Sequence, residues 1–130
     1  QLANNIYYGL GDMDLSGVSI GAGNVTHNLD LHLGPGEANF GKVVINVHGL
    51  PGNVKITGIE DGSDGQHLFF YHSETKTIVF LDELDARSVG SRDINRIKVH
   101  ASSETIGAEG SVEMIYDGNI SRWILLSIHD

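Results

Sequence analysis

Cysteine is absent from the 130 residues. That excludes a disulfide framework, a thiolate zinc site and a cysteine nucleophile, so stability must come from the core or from association. Proline occurs only twice. Basic residues are sparse, with 8 Lys and Arg against 17 Asp and Glu and a formal net charge of -9. Without a local Lys/Arg stripe, so acidic a chain repels phosphate backbones and anionic lipid, which argues against nucleic acid and a charged membrane surface as partners. No stretch nears the roughly 18 apolar residues that span a bilayer, and no signal peptide is visible. The first residue is Gln1, so the chain reads as a fragment or a processed product. No window carries helical periodicity, and H-E-x-x-H does not occur.

Glycine is what the chain has in excess, 17 residues scattered between short apolar runs. With 40% hydrophobic residues, this composition describes one globular domain rich in turns, hence an all-β protein. Residues 1–40 read as a Gly- and Asn-rich segment with short edge strands, and residues 41–130 as the main body. Within the first segment Val25, His27, Leu29, Leu31 and Leu33 alternate with polar neighbours, the period of a half-buried strand. Beyond it come "KVVINVHGL", "NVKITGI", "QHLFFYH", "TIVFLDE", "NRIKVHA", Thr105-Ile106, "SVEMIYD" and "RWILLSI". Eight or nine short strands at a spacing of about 8–12 residues fit a sandwich or a barrel.

Aromatics exceed what one core can take. Tyr7 and Tyr8 are adjacent, so one must face outward in a strand, and Phe69, Phe70 and Tyr71 cannot share a face. An outward aromatic packs on a partner subunit or a sugar ring. Near the C-terminus, "YDGNISRW" reads as a tight hairpin, with Asp117-Gly118 supplying a positive-φ turn. Tyr116 and Trp123 then stand nearly opposed on the flanking strands and belong to the core.

For chemistry, Glu60, Asp61 and Asp64 gather in one Gly-rich loop but lack the spacing of a calcium loop. Asp82, Glu83 and Asp85 read as a solvated strand end. Of seven histidines, His27 and His32 are five apart and would point to opposite faces of one strand, which argues against a shared metal. His48, His67, His72 and His100 read as surface or partly buried residues near strand ends. No metal and no cofactor is expected. Recognition on a rigid β-body concentrates in long polar loops, here residues 60–66 and 84–93, which makes Asp61, Ser63, Asp64, Arg87 and Arg92 the candidate ligand-binding residues.

A further pattern runs through the second half: Ile56-Thr57-Gly58-Ile59, Gly65-Gln66 opening a strand, Asn95-Arg96-Ile97 after a polar loop, and a closing Tyr116-Asp117 to Arg122-Trp123 hairpin. This order, over about residues 45–128, resembles the C-terminal modules of bacteriophage tail fibres, head fibres and related receptor-binding appendages. The charged loop before Asn95 departs from that pattern, which commonly has short polar residues there. The resemblance implies an antiparallel β-sandwich, jelly-roll-like or TNF-like, assembled as a homotrimer on a virion. It implies no enzyme activity and no cofactor. The partners it implies are a bacterial cell-surface glycan or receptor and, through the N-terminal side, other virion proteins. The rival readings are a decoration or head-fibre domain without a specific ligand, a cellular carbohydrate-binding module, and a small hydrolase.

Overall fold

The computed structural model describes residues 9–130. Tyr7 and Tyr8 lie outside them. Among the described residues, ten strands form two sheets that face each other across one core: β1 Gly11–Asp14, β2 Val25–Thr26, β3 Val44–His48, β4 Val54–Ile56, β5 His67–Tyr71, β6 Ile78–Leu81, β7 Ile97–Lys98, β8 Ser103–Ile106, β9 Ser111–Asp117 and β10 Arg122–His129. The larger sheet has the order β1-β3-β5-β9-β10-β7, the smaller β2-β4-β6-β8. Up to β8 each strand lies in the opposite sheet from the one before it, so the chain winds as a β-solenoid of about four turns. No helix among the described residues is long and apolar enough to cross a membrane.

All-β is therefore right, but the antiparallel sandwich, jelly-roll-like or TNF-like, is overturned. β1 pairs β3, β3 pairs β5, β2 pairs β4 and β4 pairs β6, all in parallel; only β5·β9, β9·β10 and β6·β8 are antiparallel. The physical reason is that apolar alternation specifies which face of a strand is buried and says nothing of its direction. Each expected hairpin turn between residues 41 and 81 is instead a corner that carries the chain to the other sheet.

The buried faces themselves follow the alternation. Ile45 and Val47, Val54 and Ile56, Leu68 and Phe70, Ile78 and Phe80 all point inward, and the Phe70 and Phe80 rings meet across the core with centroids 5.7 Å apart. Phe69 and Tyr71 take the outer face, as their adjacency to Phe70 requires. Leu29, Leu31 and Leu33 are buried too, yet the strand stops at Thr26, because Asn28 and His32 adopt left-handed backbone (φ 47° and 59°). His27 thereby turns to the surface, against the expectation that it lines the buried side.

The corners hold by buried polar groups. Asn28 Oδ1 accepts from Arg92 N (2.8 Å) and Asn95 Nδ2 (2.9 Å), while Asn28 N donates to Ser91 Oγ. Thr57 Oγ1 meets Ser91 Oγ at 2.8 Å and His27 Nδ1 at 2.6 Å. Satisfied in this way, buried hydroxyls and amides fix a single arrangement instead of costing stability. Gly58 sits in this knot: a Cβ there would lie 2.5 Å from Ser91 Oγ and 2.9 Å from the Asn95 carbonyl.

The hairpin β9–β10 is real and enters the larger sheet between β5 and β7. Trp123 faces Tyr116 in register, their rings meeting edge to face at 5.1 Å. The turn differs from expectation, since Gly118 is not left-handed and the positive φ falls on Ser121 at 56°. A four-residue loop, 118–121, thus replaces the two-residue Asp-Gly turn. Trp123 is wholly buried and donates from Nε1 to the Ile59 carbonyl (3.0 Å), and Tyr116 donates its hydroxyl to the Ile94 carbonyl (2.6 Å). Trp123→Ala is expected to cost about 3–5 kcal/mol in chemical denaturation through the cavity it leaves. Gly58→Ala should cost about 1–3 kcal/mol by forcing Ser91 and Asn95 apart. A folded Trp123→Ala protein of unchanged stability would contradict its structural role.

Candidate ligand-binding surface around residues 60–67

The stretch from Glu60 to Gln66 joins β4 to β5, and both of its ends are fastened. Ile59 N donates to the Asn95 carbonyl and Glu60 N to the Leu29 carbonyl. At the other end Gly65 N donates to the Tyr116 carbonyl, Tyr116 N to the Gln66 carbonyl, and Gly118 N to Asp64 Oδ1 (2.8 Å). Gln66 Oε1 accepts from Ser63 N, closing the loop on itself. So the loop is a rigid ridge, with a concavity on either flank.

One flank holds a groove of about 240 Å³ lined by Glu60, Asp61, Arg92, Ile94, Asn95 and Tyr116. Two of the expected ligand residues, Asp61 and Arg92, meet there. Behind it stand Asp30, His32 and Glu37; the donor atoms of Asp30, His32 and Glu37, and those of Asp30, Glu60 and Asp61, lie within 4.8 Å of one another. These are the described groups that approach metal-ligand spacing; His32 is among them and His27 is not, although the argument from one shared strand does not apply, since that strand ends at Thr26. The Gly34 N–H and then His32 hold the Glu37 carboxyl below its usual range, Glu37 Oε1 accepting from Gly34 N at 2.9 Å. Partial desolvation and then the Glu37 carboxyl push Asp61 up. Desolvation and the charge of Asp30 likewise raise Glu60.

The other flank holds a wider groove of about 350 Å³, into which Ser63 and Asp64, two more expected residues, are placed. Its opposite wall was missed. Phe40 and Val43 stand there, with Leu33 at the base and Gln66 and His67 beside the ridge. His67 Nε2 lies 2.6 Å from Glu113 Oε2, and Glu113 Oε1 accepts from Ser127 Oγ, so the imidazole is held in place. Phe40 is 58% exposed although its neighbour Asn39 is buried. Asn39 Nδ2 donates to the Leu31 and Asp12 carbonyls (2.8 and 3.0 Å), and its Oδ1 accepts from Asp12 N. The available sequence signal was an aromatic between a turn-forming Asn and a Gly, within the stretch read as a Gly- and Asn-rich segment with short edge strands.

Arg87 does not join either groove. Its Nε and a terminal nitrogen both donate to Asp85, each at 2.9 Å, and Asp85 also caps the 3-10 turn Ala86–Gly90 through the Arg87 amide. The 84–93 loop is accordingly a pinned corner: Ser88 Oγ donates to the Asp82 carbonyl, and Asp82 Oδ1 accepts from Val99 N. Glu83 bridges Arg122 (2.7 Å) and Lys98 (3.2 Å), so the acidic trio reads as structural and not as a solvated strand end.

No family model matches the chain, and no curated protein does. A solved structure described as "Structure of a chaperone-substrate complex" contains a chain of similar fold, with a TM-score of 0.51 and 10% identity over 93% of this chain. The present chain spans 17% of that one's length. At this identity the likeness concerns fold alone.

Two carboxylates should titrate with opposite effects on stability. The Arg87 guanidinium, and then its backbone N–H, hold Asp85 down to about 2 from 3.8, so its contribution is complete above 3.8 and lost as pH falls toward 2. Wild type should therefore exceed Asp85→Asn in melting temperature at pH 7, the gap closing across that acid window. Asp61 is raised above 3.8, which penalises the native state at neutral pH and not below its unfolded value. Asp61→Asn should melt higher than wild type at pH 7 and no higher at pH 3; thermal scans across pH check both signs.

Proposed function

We propose that this chain is a non-enzymatic module of a bacteriophage virion appendage, a homotrimer that attaches the particle to a glycan of the bacterial surface. The observation that carries the reading is the fastened ridge of residues 60–66, which holds preformed grooves on both flanks. Loops fixed to a rigid β-scaffold are suited to recognition, because little ordering entropy is lost when a ligand arrives. The order of motifs that resembles phage appendages is the second support: Gly58, Gly65-Gln66 and Asn95-Arg96 sit at corners of the solenoid, and the Tyr116–Trp123 pair joins β9 to β10.

The outer face of the larger sheet fits the trimer. Val44 and Leu126 are exposed there, and Phe69, Ile115 and Ile124 are half-buried in rows set by the strand register. Such a face gains by burial against copies of the same chain. Three copies turn individually weak sugar contacts into useful attachment through effective concentration. Among the described strands β1 is the last of the larger sheet, and connection to other virion proteins is assigned to this N-terminal side.

Light scattering of the purified protein should give three times the monomer mass. The isolated protein should also compete with phage particles for adsorption to host cells. A stable monomer that leaves adsorption untouched would overturn the proposal and favour a decoration domain or a cellular carbohydrate-binding module.

A further inference from the structure

We infer that the groove between Phe40 and the Gln66–His67 step is the sugar subsite, and that it takes one uncharged pyranose unit. The inference rests on the attachment reading and specifies where, and for which class of glycan, attachment occurs.

Three features of the groove converge. The first is Phe40 itself, presented at 58% exposure by a turn with little freedom to move. The Lys42 amide donates to the Asn39 carbonyl, the Phe40 amide to the Glu37 carbonyl, and Gly41 takes the left-handed backbone (φ 79°) that closes the turn. With Asn39 buried and hydrogen-bonded on both amide atoms, the backbone that carries Phe40 is pinned and sends its side chain to the solvent side. A large apolar side chain kept in water by its own scaffold is a feature that binding uses. The negative face of an aromatic ring attracts the polarised C–H groups on the apolar side of a pyranose.

The second feature is the facing wall. Asp64, Gln66 and His67 supply fixed polar groups across from the ring, each already oriented by a partner: Gly118 N for Asp64, Ser63 N for Gln66 and Glu113 for His67. One aromatic platform opposite a row of oriented donors and acceptors suits a ligand with one apolar face and a hydroxylated rim. The volume, about 350 Å³, is at the small end of ligand pockets, which run from about 300 to 1,000 Å³, and suits a single unit of a chain that continues into solvent.

The third feature is charge. Asp61, Glu60, Glu37 and Asp30 gather on the other side of the same ridge, and the chain carries a formal net charge of -9. Inside the groove the lining carries one charge of each sign, Lys42 and Asp64, while the surrounding field is negative; together these favour neutral hexoses and N-acetylhexosamines over uronic and sialic acids. The opposite groove is the poorer sugar site, because its aromatic, Tyr116, is buried and has its hydroxyl committed to the Ile94 carbonyl.

The test is an NMR titration of the full chain with methyl glycosides of neutral hexoses and N-acetylhexosamines, beside glucuronic acid and N-acetylneuraminic acid. At least one neutral glycoside should shift the amides of Gly41, Gly65, Gln66 and His67 with millimolar affinity, and the acids should not. Phe40→Ala, at an exposed position, should keep the fold and weaken binding by about tenfold or more, while Phe40→Trp retains it. Sugar binding that survives Phe40→Ala would overturn this subsite and leave the attachment reading standing. Preference for the acidic sugars, or no shift across the panel while the protein still blocks adsorption, would overturn it equally. Loss of both sugar binding and adsorption competition in wild type would remove the attachment reading as well. If Phe40→Ala instead dissociates the oligomer, the ring belongs to a contact between copies and the inference is wrong.

Discussion

The indole of Trp123 is the point on which the two sheets, the hairpin and two corners depend together. Its ring packs edge to face on Tyr116, its Nε1 donates to the Ile59 carbonyl, and its backbone N–H donates to the Arg96 carbonyl. Ile59 in turn donates to Asn95, and Tyr116 reaches Ile94. A short solenoid ends in an exposed edge, and the β9–β10 hairpin covers the β5 edge by inserting beside it. The ridge that flanks both grooves hangs from this same knot, since Tyr116 bonds both sides of the Gly65-Gln66 step.

Inward-facing positions were legible in the sequence for β3, β5, β6 and β9, whereas β1 was not read as a strand and β10 loses its alternation at the bulge after Leu125. Ile45, Val47, Leu68, Phe70, Ile78, Phe80, Met114 and Tyr116 all keep the period of two. Strand direction was not legible, because the partner of each early strand lies a whole coil away and no local signal marks it. Buried polar residues misled in the same way. Asn39, Thr57, Ser91 and Asn95 look like turn residues and do lie at turns, but at buried corners where they replace the short hairpin connections of a sandwich.

The site was half legible for a related reason. A polar Gly-rich loop signals a connection that holds shape, and the 60–66 ridge follows from it. The 84–93 stretch has the same composition, yet the Asp85–Arg87 pair and the Asn28 hub turn it into structure, so its charges serve the fold. Phe40 escaped notice because its exposure depends on Asn39 reaching Asp12 and Leu31, contacts that local sequence does not display. Recognition, on this view, resides where the scaffold spends hydrogen bonds to hold an apolar ring in water.

Amide hydrogen exchange reads the central interlock most directly. If Trp123 ties hairpin and corners into one cooperative unit, the amides of Ile59, Tyr116 and Trp123 exchange together, at the free energy of global unfolding. Exchange of the Tyr116 and Trp123 amides at a distinctly lower free energy than those of Ile45 and Phe70 would show that the hairpin opens alone, and would contradict the role assigned to Trp123.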